Sequence, residues 1–178
     1  MGTGEITRFP HHPPQGGITL VETMTTLAIA SILLTAAIPP MQDFVIRTRM
    51  SVEVNNFVAS LYLARSEAVK RLQNVSLCPV DHYGNCDAGT ENWEKGWKVF
   101  YTDSVSGTVV VLQQNPALPD RFTIIGNQNN FSYSPTGQLT GNNGTYTFCD
   151  TGNVAQARDV VVSPEGRVRT QLSTTGCE

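Results

Sequence analysis

The sequence predicts an α+β protein in which one long N-terminal helix packs on an antiparallel β-sheet head. Three observations support this fold class. Residues 23–42 carry no formal charge, apolar residues recur at helical spacing from Met41 to about Gln73, and short apolar segments separated by turn sequences fill the second half. We therefore expect one helix with an apolar half and an amphipathic half, followed by a β head.

The apolar half of the helix is long enough to cross a membrane. Residues 23–42 lie between Glu22 and Asp43 and contain the run LAIASILLTAAI. At 1.5 Å per residue they span about 30 Å, the thickness of a hydrocarbon core. A secretory signal peptide cleaved after Ala37 is the alternative, but the preceding HHPPQGG lacks the basic residues that such a peptide carries. Glu22 needs its own explanation, because a carboxylate within a membrane is tolerated chiefly when it is paired.

The amphipathic half continues from Met41 and presents one apolar stripe. Its members recur at i, i+3, i+4 and i+7, and they are Val54, Phe57, Val58, Leu61, Ala64, Ala68 and Leu72. This stripe is expected to pack on the sheet. The helix also carries five cations, which indicate a solvated face more than a nucleic-acid surface: Arg47, Arg49, Arg65, Lys70 and Arg71.

Eight strands are expected in the head. They are residues 74–80, 96–103, 108–114, 122–126, 131–134, 144–150, 157–163 and 167–172. The sequences SPTGQ, GNNG and SPEG separate several of them, and they supply the Pro, Gly and Asn residues that tight turns require. Short strands with such turns predict an antiparallel sheet.

Four cysteines indicate two disulfides in an oxidising compartment. Four cysteines allow three connectivities, and we favour the local one, Cys78–Cys86 with Cys149–Cys177. Four reduced thiols in a cytosolic protein are the alternative for the whole set. A metal site of Cys78, Asp81, His82 and Cys86 is a further alternative, although its spacing matches no zinc pattern. We expect no metal and no cofactor.

No enzymatic motif is found in the sequence. It lacks G-x-S-x-G, H-E-x-x-H, a P-loop and a pair of carboxylates with a plausible partner. Histidine, the commonest general base, is nearly absent. We expect a protein that is not an enzyme.

The start of the apolar helix resembles the prepilin peptidase site of type IV pilins and pseudopilins. Gly17 precedes Ile18-Thr19-Leu20-Val21-Glu22, which matches a Gly before the cut, an apolar first mature residue and a Glu as the fifth. The resemblance implies prepilin peptidase as a partner, cleavage after Gly17 and N-methylation of Ile18. It also implies that Glu22 pairs with the N-terminal amine of a neighbouring pilin, and that the helix breaks or bends at Pro39-Pro40.

The middle of the chain resembles the GspH/FimT family of minor pilins and pseudopilins. The sequence ARSEAVKRLQNVSLCP ends the helix, and Trp93, Gly96, Trp97, Val99 and Phe100 follow it as a tryptophan motif. The resemblance implies the type IV pilin fold, minor and major pilins as filament partners, and an inner-membrane protein with a periplasmic head that later joins a pilus on the surface of a Gram-negative bacterium.

The C-terminal segment SPEGRVR carries the candidate binding residues. Arg167 and Arg169 are two apart in an extended segment, so their side chains project from one face, and Arg158 is expected near them across a hairpin. Gly166-Arg167-Val168-Arg169 also resembles a G-R-x-R motif of the FimT branch. The resemblance implies binding of extracellular double-stranded DNA during natural transformation, with the arginines on phosphates and Gly166 letting the turn approach the DNA backbone. Two arginines on an ordinary edge strand are the alternative.

The expected organisation is a leader at 1–17, a membrane and filament-core helix at 18–40, an amphipathic helix at 41–74 and the head at 75–178.

Three other functions stay open beside DNA binding. They are a structural minor pilin that primes assembly, as in the FimU branch, a minor pseudopilin of a type II secretion system, and a membrane-anchored binding domain that is never processed. The net charge of −3 means that any DNA contact is local and weak.

Overall fold

The computed structural model describes residues 17–87, 89, 93–141, 143–174 and 176–177, with the backbone alone at 36–39. The chain divides into two compact units between Pro40 and Met41. All residues of the hydrophobic core lie between Met50 and Val162, and both disulfides lie in the same unit. Residues 41–178 therefore contain everything that holds the head together.

Helix α1 spans Leu20–Arg71. The Thr19 hydroxyl accepts a hydrogen bond from the backbone N–H of Glu22 at 3.2 Å and so caps its first turn. Helix α1 is continuous across Pro39-Pro40, so the helix does not break there. A bend at that point stays a prediction. By length and composition α1 contains a segment able to cross a membrane.

The stripe that packs on the head is close to the predicted one. Its fully buried members are Met50, Val54, Phe57, Leu61, Ala64 and Ala68, and Val58 is half-buried. Leu72 was wrongly included in the stripe, because it follows the helix with φ 54° and is 76 % exposed. This left-handed residue ends the helix where the stripe periodicity would have continued it.

Nine strands follow the helix. They are β1 Val75–Pro79, β2 Trp97–Thr102, β3 Val109–Asn115, β4 Phe122–Gly126, β5 Phe131–Tyr133, β6 Leu139–Thr140, β7 Gly144–Asp150, β8 Arg158–Val162 and β9 Val168–Leu172. All eight predicted strands are present, and the two-residue β6 was missed because it is too short to show a period. A long helix packed on antiparallel strands confirms the predicted fold class.

The strands form two antiparallel sheets rather than the single sheet expected. The first has the order β3-β2-β1-β5-β6 and the second has the order β4-β7-β8-β9. The chain leaves the first sheet after β3 to build β4, returns for β5 and β6, and then completes the second sheet. Sequence patterns of single strands do not reveal such a division, because it depends on which strands pair.

Aromatic rings from both sheets meet on Phe57 of α1. The Phe57 ring lies 5.2 Å from that of Trp97 in the first sheet, and 4.9 and 5.6 Å from those of Tyr146 and Phe148 in the second. Trp93, in the segment before β2, completes the cluster at 5.7 Å. Fully buried aromatic side chains dominate core energetics, so this cluster joins helix and sheets into one core.

Two disulfides tie irregular segments to the sheets. Cys78 of β1 is bonded to Cys86 eight residues later, and Cys149 of β7 is bonded to Cys177 in the C-terminal tail. These are the pairings expected from the sequence. Because the sulfur atoms of Cys78 and Cys86 are bonded to each other, they are not available as the metal ligands of the alternative site.

A buried carboxylate organises the turn after β7. Asp150 accepts hydrogen bonds from Arg121 at 2.6 and 3.3 Å and from the backbone N–H groups of Gly152, Val154 and Ala155. Burial of Asp150 acts to raise its pKa, but these hydrogen bonds outweigh that effect and hold the pKa at about 2. These hydrogen bonds therefore stabilise the turn fully only while Asp150 is ionised.

The depressed pKa of Asp150 predicts a specific acid sensitivity. With an ordinary value of 3.8 in the unfolded chain, the ionised group contributes stability that is complete above about pH 4 and is lost as the pH falls toward 2. Urea unfolding measures the free energy of unfolding of residues 41–178 and that of their Asp150→Asn variant. The difference between the two free energies should decrease by about 2 kcal/mol between pH 7 and pH 2.

An Asp120→Asn variant, which removes an exposed carboxylate beside Arg121, is the control. If the loss of unfolding free energy in Asp150→Asn is as independent of pH as the loss in Asp120→Asn, the stabilising role of ionised Asp150 is contradicted.

Candidate nucleic-acid interface

The candidate site is the hairpin formed by β8 and β9. Its register pairs Val161 with Arg169 and Val162 with Val168. In the connecting turn the Ser163 N–H donates to the Arg167 carbonyl at 2.9 Å, and the Gly166 N–H donates to the Ser163 carbonyl at 2.8 Å. The sequence SPEG therefore forms the tight turn that its composition predicted.

Arg167 and Arg169 project from the outer face of the second sheet. Val160 and Val162 are fully buried, so their face of β8 is turned toward the core, and the paired Val161 and Arg169 lie on the other face. Arg167 is two residues from Arg169 and is exposed, with 79 % of its side chain accessible. The predicted common face of the two arginines is what the register produces.

The two arginines share one open concavity of about 570 Å³. Its lining is completed by Asn143, Val161, Ser163, Pro164 and Val168. The lining is thus largely apolar, while the guanidinium groups and the Ser163 and Asn143 side chains supply the polar part. Such a surface can accept an anionic group along its rim without first breaking a buried ion pair.

The local charge balance leaves both arginines available. Arg167 faces Glu165 at 3.9 Å, but both side chains are largely exposed, and exposed pairs of this kind contribute little. A hydrogen bond from Ser163 is the main cause of a lowered Glu165 pKa, and Arg167 contributes less, so Glu165 stays ionised. Within the described part of the chain, Arg169 has no ion pair.

The prediction that Arg158 joins these arginines was wrong. Arg158 pairs with Leu172 at the far end of the hairpin, and it lies on the same face of β8 as the buried Val160. Arg169 is on the opposite face. Arg158 instead lines a separate small cavity with Arg47 of α1.

Gly166 has a role inside the protein, and its predicted role at the DNA backbone stays a prediction. Gly166 is buried with φ 76°, and a Cβ atom there would collide with the Gly137 carbonyl oxygen and come within 3.0 Å of the Tyr133 ring. Its small size therefore serves contact inside the protein. It lets the β8–β9 turn lie against the β5–β6 turn, which contains Gly137.

Arg65 of α1 is the positioning residue that sequence reasoning missed. Its Nη2 donates to the Glu165 carbonyl at 3.1 Å, and its side chain also packs against Gly137. The Leu139 N–H donates to the Pro164 carbonyl at 2.8 Å, so the two turns are also bonded directly. The repeated S-P-x-G sequences at 134–137 and 163–166 were the available signal, but only the tertiary structure brings them together.

The candidate processing residues lie at the beginning of the described chain. Gly17 and Ile18 precede α1 and are exposed, and a Cβ atom on Gly17 would meet no other atom within 4 Å. Glu22 lies in the first turn of α1, three residues after its cap Thr19. An acidic side chain there interacts favourably with the helix dipole, which gives Glu22 a local role besides the one that the motif implies.

Residues 53–166, well over half of the chain, match the family described as Type II transport protein GspH. The chain belongs to the GspH family. Residues 13–38 match the prokaryotic N-terminal methylation motif. No curated protein matches the sequence.

Two crystal structures of known pilus and secretion proteins resemble this GspH-family protein. The type IV minor pilin FimU of Pseudomonas aeruginosa matches with a TM-score of 0.58 and 20 % identity, over 76 % of this chain and 97 % of FimU. The minor pseudopilin EpsH of the Vibrio cholerae type 2 secretion system matches with a TM-score of 0.52 and 13 % identity, over 70 % and 97 % of the respective chains. At these identities the likeness concerns the fold.

Family membership defines the class of this protein. It belongs to a family of structural pilins and pseudopilins, whose members interact with other pilins in a filament. The methylation motif and the apolar helix indicate membrane anchoring followed by a place in a pilus or pseudopilus.

The contact between the two turns predicts a large cost for a side chain at Gly166. Gly166→Ala should destabilise residues 41–178 by roughly 1–3 kcal/mol more than Gly107→Ala, because overpacking adds to the strain of positive φ. Gly107 is the matched control, since it has φ 69° and nothing within 4 Å of a Cβ atom. Urea unfolding measures both variants, and equal losses would show that the turns are not tightly packed.

Proposed function

We propose that this GspH-family protein is a minor type IV pilin of the FimT branch, and that it binds extracellular double-stranded DNA during natural transformation. The observation that carries this proposal is the placement of Arg167 and Arg169 on one exposed face of β9 and its turn, in the lining of one concavity. The match of Gly166 to Arg169 with the G-R-x-R motif of that branch supports it.

Guanidinium groups in this arrangement suit a phosphate backbone. Residues two apart on a strand are separated by about 6.5–7 Å, and each guanidinium can form two parallel hydrogen bonds to a phosphate. Arg167 and Arg169 can thus hold two phosphates of one strand. Such contacts position DNA without reading its bases, so little sequence specificity is expected.

The rest of the molecule makes this binding weak and dependent on salt. The chain carries a net charge of −3, so attraction is confined to the hairpin surface. Each phosphate neutralised contributes about −0.9 to the slope of log K against log salt concentration, and two contacts contribute about −1.8. The slope of log K against log salt concentration therefore offers a quantitative test of the site.

Removal of both arginines should abolish this contribution. We expect Arg167→Ala with Arg169→Ala to weaken duplex DNA binding by residues 41–178 at least about tenfold at low salt, and to reduce the salt slope by about 1.8. Titration of fluorescent duplex DNA at several salt concentrations measures both quantities.

The matched control removes the same charge elsewhere, with Arg49→Ala and Lys95→Ala, both of which are exposed. If the hairpin variant binds DNA as well as the control does, the arginine pair is not the site. A structural minor pilin that primes assembly, a minor pseudopilin of a type II secretion system and a membrane-anchored binding domain would then be the functions that remain.

The methylation motif leads to a second part of the proposal, which concerns processing. We infer cleavage after Gly17 by prepilin peptidase, methylation of the new N-terminus at Ile18, and pairing of Glu22 with the N-terminal amine of a neighbouring pilin. A carboxylate within a membrane is stabilised by such a pair. The head would lie in the periplasm of a Gram-negative bacterium before the filament forms.

Intact mass measurement of the protein recovered from membranes tests the processing. We expect a chain that begins at Ile18 and carries one methyl group, and a Gly17→Leu variant that keeps residue 1. A parent protein that also keeps residue 1 would contradict processing, and it would favour a membrane-anchored domain.

A further inference from the structure

We propose that Arg47 and Arg158 form a second anion site, distinct from the hairpin surface, that binds the phosphate group of an anionic phospholipid. The two residues line a cavity of about 130 Å³ together with Met50, Ala155, Gln156 and Leu172. The site takes one arginine from helix α1 and one from strand β8, so the fold brings them together. The proposal does not depend on DNA binding.

Among the described residues that line it, the cavity holds two positive charges and no negative one. Neither Arg47 nor Arg158 forms an ion pair with any described residue. Asp43 lies one helical turn before Arg47 but is not within ion-pair distance of it. Asp43 acts instead on Arg121, whose pKa is raised mainly by Asp150 and to a smaller extent by Asp43. Like charges in one cavity repel each other, so a bound anion is the group that would stabilise this arrangement.

The shape and the lining of the cavity favour a single phosphate. A volume of about 130 Å³ admits one tetrahedral oxyanion and is well below the 300–1,000 Å³ typical of sites for larger ligands. Gln156 adds amide N–H donors to those of the two arginines. Leu172, which is 57 % exposed, and Ala155 give the cavity an apolar wall that suits the first methylene groups of the lipid acyl chains.

The position of Arg47 in the chain favours a lipid as the source of that phosphate. Arg47 follows the end of the apolar segment at Pro40 by seven residues, and even a fully extended chain of that length spans only about 25 Å. Basic residues close to a membrane segment are attracted to anionic headgroups. Arg167 and Arg169, in contrast, lie on the opposite face of the β8–β9 hairpin from Arg158.

Arginine side-chain NMR of the full chain in neutral detergent micelles tests the proposal. Titration with phosphatidylglycerol should shift the Nε–Hε signals of Arg47 and Arg158 and the backbone amide signals of Ala155 and Gln156 saturably, and the backbone amides report the affinity of variants that lack these arginines. The apparent affinity should exceed those for phosphatidylcholine and inorganic phosphate at least about tenfold, and Arg47→Gln with Arg158→Gln should remove the difference. Arg167→Gln with Arg169→Gln, which loses the same charge from the other face, should bind the lipid like the parent.

Three results would overturn the proposal. Equal affinities for phosphatidylglycerol and inorganic phosphate would show an anion site without lipid selection. Equal losses in the two double variants would show attraction by net charge alone, and a lack of shift at Arg47 and Arg158 would show that the cavity binds no phosphate. The DNA titration tests the other pair of arginines. The failure of one proposal can therefore be distinguished from the failure of the other.

Discussion

The packing of Phe57 against both sheets is the contact on which the rest of the head depends. Between the described strands of the two sheets there is no ladder, and the backbone hydrogen bond from Leu139 to Pro164 joins β6 only to the turn after β8. Phe57 places one ring against Trp97 on one side and against Tyr146 and Phe148 on the other. Helix α1 thus joins the two sheets through Phe57, and the direct contact of Phe131 in β5 with Tyr146 in β7 at 5.8 Å adds to the same core.

The same helix also determines the geometry of the candidate site. Two turns after Phe57, Arg65 reaches the Glu165 carbonyl at the tip of the β8–β9 hairpin and packs on Gly137 in a turn of the other sheet. The stacked turns leave space only for glycine at position 166. The backbone of Arg167 is thus held in place by the core, although its side chain is exposed. This reduces the conformational entropy that Arg167 loses when an anion binds.

The hairpin separates two cationic surfaces on an otherwise acidic protein. Its outer face carries Arg169, and its inner face ends at Arg158 beside Arg47. Strand pleating is the cause, because successive residues point to opposite faces. With a Debye length near 8 Å at physiological salt, each surface acts largely by itself, and the net charge of −3 does not prevent a local contact with an anion.

Local patterns in the sequence determined much of this protein by themselves. The apolar run, the helical stripe, eight strands and the common face of Arg167 and Arg169 follow from periodicity, turn chemistry and short-range spacing, and the short separation of Cys78 and Cys86 favoured the disulfide pairing that is found. The division into two sheets, the burial of Gly166, the exposure of Leu72 and the separate face of Arg158 were decided only by the tertiary structure. They depend on strand pairing and on contacts between distant residues, and a register change of one residue would turn each side chain of a strand to its other face.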